Sequence, residues 1–580
     1  MVCFAPVVGA CTGNRKESAP NIIVIIADDQ GWGDLSFHGN ANLKTPNIDA
    51  LANDGASFDR FFVCPVSAPT RAELFTGRYH IHSNVTGVTN GKERMSLEEK
   101  TVADMFRAAG YATALFGKWH NGSQYPYHPT GRGFQEFFGF TSGHWGNYIN
   151  PILEDNGKMV REKGYITDIL TDRTISYIEK NRDKPFFCCL ALNTPHSPFQ
   201  VPDEYWDRFS DAPITMRGRQ GDKEDLPTTR CALAMCENID RNVGRLLKKI
   251  NELNISQNTI VIYMSDNGPN GIRWNGDMKG IKGSVDEGGV RVPFFIRWTG
   301  KIPSGTRVSA ISGAIDLLPT LAALANVEPT GILPLDGIDV SPWLFGKGKD
   351  RTDRTIVSQK DRLLSVRSQQ YRYVEEDNQL FDMIADPGQY ENIADKKPEV
   401  RNQLVKALED WKKSTNFDIE REIPPIPVGY SGFPWTPLPA RDAVLNGTVR
   451  RSSIHANCSY ITNWTSSEDK ISWDIDVHTD GEYIVAIHYT CPESDSGSEI
   501  ELRCGDRTLL AKIVEPFDAP LFDQTDRVLR KESYVKDFKE MSLGKIYLKK
   551  GLATLELRAS KIFGKQVADF WGFSLTLSEK

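Results

Sequence analysis

Asn21-Ile22-Ile23-Val24-Ile25-Ile26-Ala27, followed at once by Asp28-Asp29, is the stretch that decides the fold. Seven residues without a charge, most of them β-branched, describe a strand buried on both faces, as in a parallel sheet covered by helices. Thr259-Ile260-Val261-Ile262-Tyr263-Met264 has the same character and runs into Asp266-Asn267. Between and beyond them, over residues 21–340, apolar runs alternate with longer amphipathic stretches, which predicts an α/β architecture. One of those stretches, residues 232–251, spaces Leu233, Met235, Ile239, Val243, Leu246, Leu247 and Ile250 for a long packed helix. Open α/β sheets gather ligands at the carboxyl ends of their strands. Both acidic pairs should therefore lie together. Asp28, Asp29, Asp266 and Asn267 offer hard oxygen donors suited to calcium, with magnesium the less suited alternative, and not to a thiophilic metal. Read separately, each pair could equally be a turn or a helix cap.

Working outward, 580 residues exceed one core, so more than one domain is expected. Residues 21–345 form the α/β domain. Residues 346–415 change to short strands, such as Leu363-Leu364-Ser365-Val366, and a helix, which reads as a small α+β subdomain. Pro424, Pro425, Pro427, Pro434, Pro437 and Pro439 crowd residues 416–441, read here as a linker. Residues 442–580 carry strand runs at turn-punctuated spacing, including Trp473-Asp474-Ile475-Asp476-Val477 and Tyr483-Ile484-Val485-Ala486-Ile487. That pattern predicts an all-β sandwich. Residues 1–20 read as an export leader remnant, because Val8-Gly9-Ala10-Cys11 resembles a lipoprotein lipobox although a basic n-region is missing. The expected location is the periplasm or cell surface, with a lipid on Cys11.

A net charge of -7 leaves no general attraction for nucleic acid or acidic lipid. An anionic substrate must be met by a local site. No apolar run is long enough for a membrane-spanning helix. The ten cysteines show no CxxC or Cys/His ladder, which argues against zinc or iron-sulfur sites. Cys188 and Cys189 fit a buried strand, and a disulfide is expected, if anywhere, among Cys458, Cys491 and Cys504.

The chemistry is carried by Ser67-Ala68-Pro69-Thr70-Arg71, continued by Ala72-Glu73-Leu74-Phe75-Thr76-Gly77-Arg78. Three further blocks follow in order: Gly117-Lys118-Trp119-His120, Asn193-Thr194-Pro195-His196-Ser197-Pro198, and Lys279-Gly280-Ile281-Lys282-Gly283 leading to Glu287-Gly288-Gly289-Val290-Arg291-Val292-Pro293. Together they resemble the type I sulfatases over roughly the first four hundred residues. The resemblance implies an alkaline-phosphatase-like core, calcium at the two acidic pairs, and oxidation of Ser67 to formylglycine. The serine form of the motif implies a bacterial maturase of the radical S-adenosylmethionine type. It also implies that Arg71 steadies the aldehyde hydrate and that Lys118 and Lys282 hold sulfate oxygens. His120 then resembles the base that deprotonates the hydrate, His196 the acid that protonates the leaving sugar oxygen, and Glu287 and Arg291 scaffold. The plainer alternative for Ser67 is a helix N-cap.

The expected substrate is a sulfated carbohydrate, a galactose or N-acetylhexosamine sulfate of mucin, glycosaminoglycan or algal glycan. Two loops suit a hexose: Ser142-Gly143-His144-Trp145-Gly146-Asn147-Tyr148 and Asn270-Gly271-Ile272-Arg273-Trp274-Asn275. His144, Trp145, Arg273 and Asn275 are the expected sugar contacts, and neither His144 nor Arg273 is expected to influence metal binding. The sandwich resembles carbohydrate-binding modules only at fold level. Two rivals remain: a phosphate or phosphonate ester hydrolase of the same superfamily, and a non-catalytic glycan-binding protein with unmodified Ser67.

Overall fold

The computed structural model describes residues 19–329, 331–349 and 354–578. The leader with Cys11 lies outside them. Asn21–Asp28 runs through the middle of a ten-stranded sheet, parallel to Phe186–Pro195 on one side and Thr259–Ser265 on the other. Ala112–Lys118 and Glu136–Phe140 extend the parallel part. Antiparallel strands, among them Phe294–Trp298, close both flanks.

The uninterrupted apolar run of the first strand is needed because both its faces are covered. Ile23, Ile25 and Ala27 pack with residues of the helices Ile166–Asn181 and Leu226–Glu252. Ile22, Val24 and Ile26 pack on the opposite face with residues of Ser67–Thr76, Val102–Ala108 and Leu317–Ala325. A buried aliphatic side chain contributes about 1.5–3 kcal/mol, so a polar residue anywhere in this run would destabilise one layer or the other. The α/β expectation agrees with this architecture.

After this domain come four antiparallel strands, Ile356–Lys360, Leu363–Arg367, Tyr371–Val374 and Gln379–Asp382, backed by the helix Pro398–Ser414. The carboxyl-terminal region holds two six-stranded sheets around a shared core that includes Trp464 and Trp473. Those two tryptophans fill the core, so neither offers an indole face to a glycan.

Two expectations are corrected. Residues 416–441 are more than a linker. Ile426–Val428 pairs with Lys470–Val477, and Trp435–Pro439 pairs with Asp569–Leu577. Prolines are tolerated because these strands join the sheets with one side unpaired. Cys458, Cys491 and Cys504 are free thiols. Cys458 Sγ donates to the carbonyl of His144 at 3.0 Å, and Cys491 Sγ to that of Val567 at 3.5 Å. Among the described residues no helix is long and apolar enough to cross a membrane.

Candidate active site

Because Asn21–Asp28 and Thr259–Ser265 are adjacent and parallel, in register at Ala27 and Ser265, their acidic ends emerge side by side. Asp29 takes a left-handed turn, φ 67°, and its N–H donates to Asp266 Oδ1 at 3.3 Å. Asp28, Asp29, Asp266 and Asn267 are all fully buried. Burial, and then the charge of Asp266, push the Asp28 carboxyl up to about 6 despite Lys118. Asp28 Oδ1 and Asn267 Oδ1 have no hydrogen-bond partner. Two orphaned acceptors among three buried carboxylates are what a hard divalent cation satisfies, so the donor set fits calcium or magnesium.

Ser67 is the first residue of the helix Ser67–Thr76, whose cap is Val66 with no side-chain bond. The N-cap alternative is thereby excluded. Instead Ser67 Oγ donates to Asp266 Oδ2 at 2.6 Å and accepts from Arg71 Nε at 2.9 Å. One helical turn separates serine and arginine, which is why the motif needs that spacing. Arg71 also pairs with Asp266 at 2.9 Å and donates to the carbonyl of Lys118 at 2.7 Å. Burial works against the Asp266 carboxylate, but Arg71 and Lys118 outweigh it and hold the group below its ordinary value.

Lys118 ends the strand Ala112–Lys118, its Nζ 2.7 Å from Asp28 Oδ2. His120 follows in a left-handed conformation, with Nε2 2.9 Å from the carbonyl of Val88 and Nδ1 unpartnered. Burial, reinforced by Lys118, drives its pKa well below the ordinary value, so it is a neutral imidazole. His196 stands just after Phe186–Pro195. Its Nδ1 lies 2.6 Å from the carbonyl of Ser197 and its Nε2 3.6 Å from Asp29. Lys282 places its Nζ 2.7 Å from Asp29 Oδ1. Gly280 and Gly283 flank it at φ 91° and 86°, so these glycines make the left-handed turns that deliver the lysine. Glu287 binds Arg367 and Arg372 at 3.2 and 2.9 Å, joining the small subdomain to the core.

Ser67, Lys118, His120, His196 and Lys282 open onto one cavity of about 650 Å³. His144 shares it, stacked on His196 with ring centroids 5.5 Å apart. The other expected sugar contacts fare differently. Arg273 borders the cavity, yet its guanidinium is committed: Nε and Nη2 to Asp34 at 2.8 and 2.7 Å, Nη2 to the carbonyl of Asp29, and Nη1 to that of Asn270. It braces the Asp29 turn. Asn275 is buried between Gly33 N–H and the carbonyl of Gly288. Trp145 stacks on Phe140 and packs against the core. Sequence reasoning had weighed these side chains by type alone and could not see their partners.

It also missed the far wall. His455, Asn457, Lys531 and Glu532, from two loops of the sandwich, line the same cavity. No local signal marks them.

A family model described as Sulfatase matches residues 20–327. The N-acetylgalactosamine-6-sulfatase of Canis lupus familiaris is 30% identical over 391 residues, covering 61% of this chain and 71% of the relative. Arylsulfatase A of Homo sapiens is 33% identical over 374 residues, covering 57% and 68%. A crystal structure of Ps i-CgsB in complex with k-i-k-neocarrahexaose superposes with a TM-score of 0.63 at 31% identity, covering 70% of this chain and 95% of that one.

Proposed function

The chain belongs to the sulfatase family and is a sulfuric ester hydrolase, and on that premise we propose that it desulfates a carbohydrate through a formylglycine made from Ser67, with calcium held by Asp28, Asp29, Asp266 and Asn267. The observation that carries this reading is the contact of Ser67 Oγ with both Arg71 Nε and Asp266 Oδ2, at the floor of a cavity bordered by Lys118 and Lys282. A divalent cation bound there supplies positive charge against the sulfate oxygens. A hydrated aldehyde at position 67 supplies a second hydroxyl, whose deprotonation lets sulfate leave, where plain serine would stay sulfated.

In this reading Arg71 holds the reacting side chain, and Lys118 and Lys282 face the sulfate oxygens. Neutral His120, with an unpartnered Nδ1, has the lone pair a base requires. His196, its Nδ1 on the Ser197 carbonyl and its Nε2 3.6 Å from Asp29 at the edge of the cavity, is the group assigned to protonate the leaving sugar oxygen. A galactose or N-acetylhexosamine sulfate is the proposed substrate. Support comes from the relative named for N-acetylgalactosamine 6-sulfate and the structural neighbour holding neocarrahexaose. Export and maturation by a radical S-adenosylmethionine enzyme accompany the proposal.

The test has two arms. Peptide mass spectrometry of protein coexpressed with the maturase should show loss of two hydrogens at Ser67. Sulfate should then be released from a panel of sulfated galactose and N-acetylhexosamine. Turnover of phosphate or phosphonate esters in preference, or no turnover at all with Ser67 unmodified, refutes the reading.

A further inference from the structure

The sandwich is stitched to the very segments that carry His144 and His196. Arg530 Nη1 donates to the carbonyl of Gly146 at 2.7 Å, and Cys458 Sγ to that of His144 at 3.0 Å. Gln200 Nε2 donates to Thr525 Oγ1 and Asp526 Oδ1, both at 2.8 Å. Gly143 N–H donates to Asn457 Oδ1 at 3.2 Å, and a Cβ on Gly143 would stand 2.2 Å from Asn457 Nδ2 and 2.6 Å from His120 Nε2. Any side chain at position 143 would have to displace the Asn457 amide or the His120 ring. Arg530 is itself fixed by Asp526 at 2.6 Å, so the loop that carries Glu532 is anchored on both sides.

On that loop Glu532 accepts a hydrogen bond from Ser197 Oγ and faces the cavity beside His144 and His196. Burial acts against its charge, but the two histidines and Ser197 outweigh burial and bring its pKa to about 2. It is an anion throughout the working range. Around it the cavity offers Lys118, Lys282 and Lys531, which only donate, together with His144 and His196; the other carboxylate in its lining, Asp225, already accepts from Thr228 Oγ1. A sugar needs acceptors as well, because each free hydroxyl has a proton to place. A carboxylate is the strongest acceptor a protein has.

We infer that Glu532, supplied by the carboxyl-terminal sandwich, binds a hydroxyl of the sugar whose sulfate lies at Ser67, and selects a sugar with a neutral hydroxyl there over one bearing a carboxylate or second sulfate. The inference rests on the carbohydrate reading above. Its selectivity combines an attractive contact with repulsion of the wrong anion.

The experiment uses the full-length matured enzyme and measures kcat/KM on 4-nitrophenyl sulfate, on monosulfated hexoses and on their disulfated counterparts. Glu532→Ala should lower kcat/KM on the monosulfated sugar about tenfold or more, mainly through KM, and should fall much less on the aryl sulfate, which has no sugar hydroxyl. Glu532→Gln, which keeps the shape and loses the charge, should narrow the preference for mono- over disulfated sugar about tenfold. Equal losses on aryl and sugar sulfates, or an unchanged mono-to-disulfated ratio in Glu532→Gln, overturn the inference. So does a Ser197→Ala variant that reproduces both ratios, because Glu532 would then act only through Ser197. Wild-type enzyme that hydrolyses the aryl sulfate and no sugar sulfate overturns the carbohydrate reading itself, and the inference with it.

Discussion

Arg273 separates what residue type suggests from what geometry permits, and Arg273→Ala puts the difference to a measurement. Its guanidinium meets Asp34 with two parallel bonds, 2.8 and 2.7 Å, and both partners are buried. Truncation leaves the Asp34 carboxylate buried without its cation, with Gly31 N–H at 2.7 Å as partial compensation. Breaking one side of such a pair costs about 3–5 kcal/mol. The same substitution removes the donor to the Asp29 carbonyl, at 2.9 Å, in the turn that aims the Asp29 carboxylate. Loss of a group that orients a metal ligand lowers metal affinity about 10–100-fold. Calorimetric titration of calcium into chelator-treated protein should therefore show that weakening, together with a lower melting temperature. Arg273→Lys should recover only part of each, because an ammonium cannot reproduce the two-pronged contact. A variant that keeps its stability and calcium affinity while KM for sugar sulfates rises would refute the bracing role and return Arg273 to the sugar.

Three further outcomes follow from the same geometry. His196→Ala should cost about 100-fold or more in kcat on sugar sulfates and far less on aryl sulfates, whose phenolate leaves without a proton; equal losses would exclude His196 as the acid. Calcium titrated into chelated enzyme should raise the melting temperature progressively, by an amount equivalent to about 4 kcal/mol at a thousandfold excess over Kd, and insensitivity to the ion would empty the proposed site. Glu73 lies fully buried on the Ser67 helix, and burial lifts its carboxyl from 4.5 to about 8. The unfolded chain gives up this proton near 4.5 and the folded helix near 8, so stability falls as pH rises through that window, by up to about 5 kcal/mol, and is flat above it. Glu73→Gln has no proton to lose, so hydrogen exchange in Ser67–Thr76 should lose that pH slope; parallel slopes for the two proteins would contradict it.

The strands and the residues at their ends were legible because both are local properties of the chain. Ile22 to Ile26 announce a strand covered on both faces, and Asp28 with Asp29 must sit where it stops. The positions of Ser67, Lys118, His120, His196 and Lys282 were equally plain, since each belongs to a short block whose spacing sets its geometry. What chemical type does not show is which loop side chains are already committed to other partners. Arg273 and Asn275 have the groups a sugar uses, but Asp34 and Gly33, some two hundred and forty residues away in the chain, already hold them. The prolines at 427, 437 and 439 misled for a related reason: a missing N–H is costly in a central strand and harmless where that side of the strand has no partner.

The division between what was and was not legible has a chemical counterpart. Most of the groups proposed to act on sulfate follow the ends of neighbouring strands in one sheet, while Ser67 and Arg71 lie one helical turn apart and Lys282 is delivered by a glycine-flanked loop, so strand spacing, one helical turn and one local turn set their mutual distances. The groups proposed to face the sugar come from the His144 segment and from two sandwich loops, held by contacts such as Arg530 to Gly146 across 384 residues. Those contacts can change without moving a strand. Substitutions confined to residues 454–457 and 529–532 should accordingly redistribute activity among sulfated sugars while calcium affinity and conversion of Ser67 stay as they were. If instead such substitutions abolished calcium binding together with all turnover, the wall and the floor of the cavity would have to be one cooperative unit, and substrate choice could not be read from the sandwich.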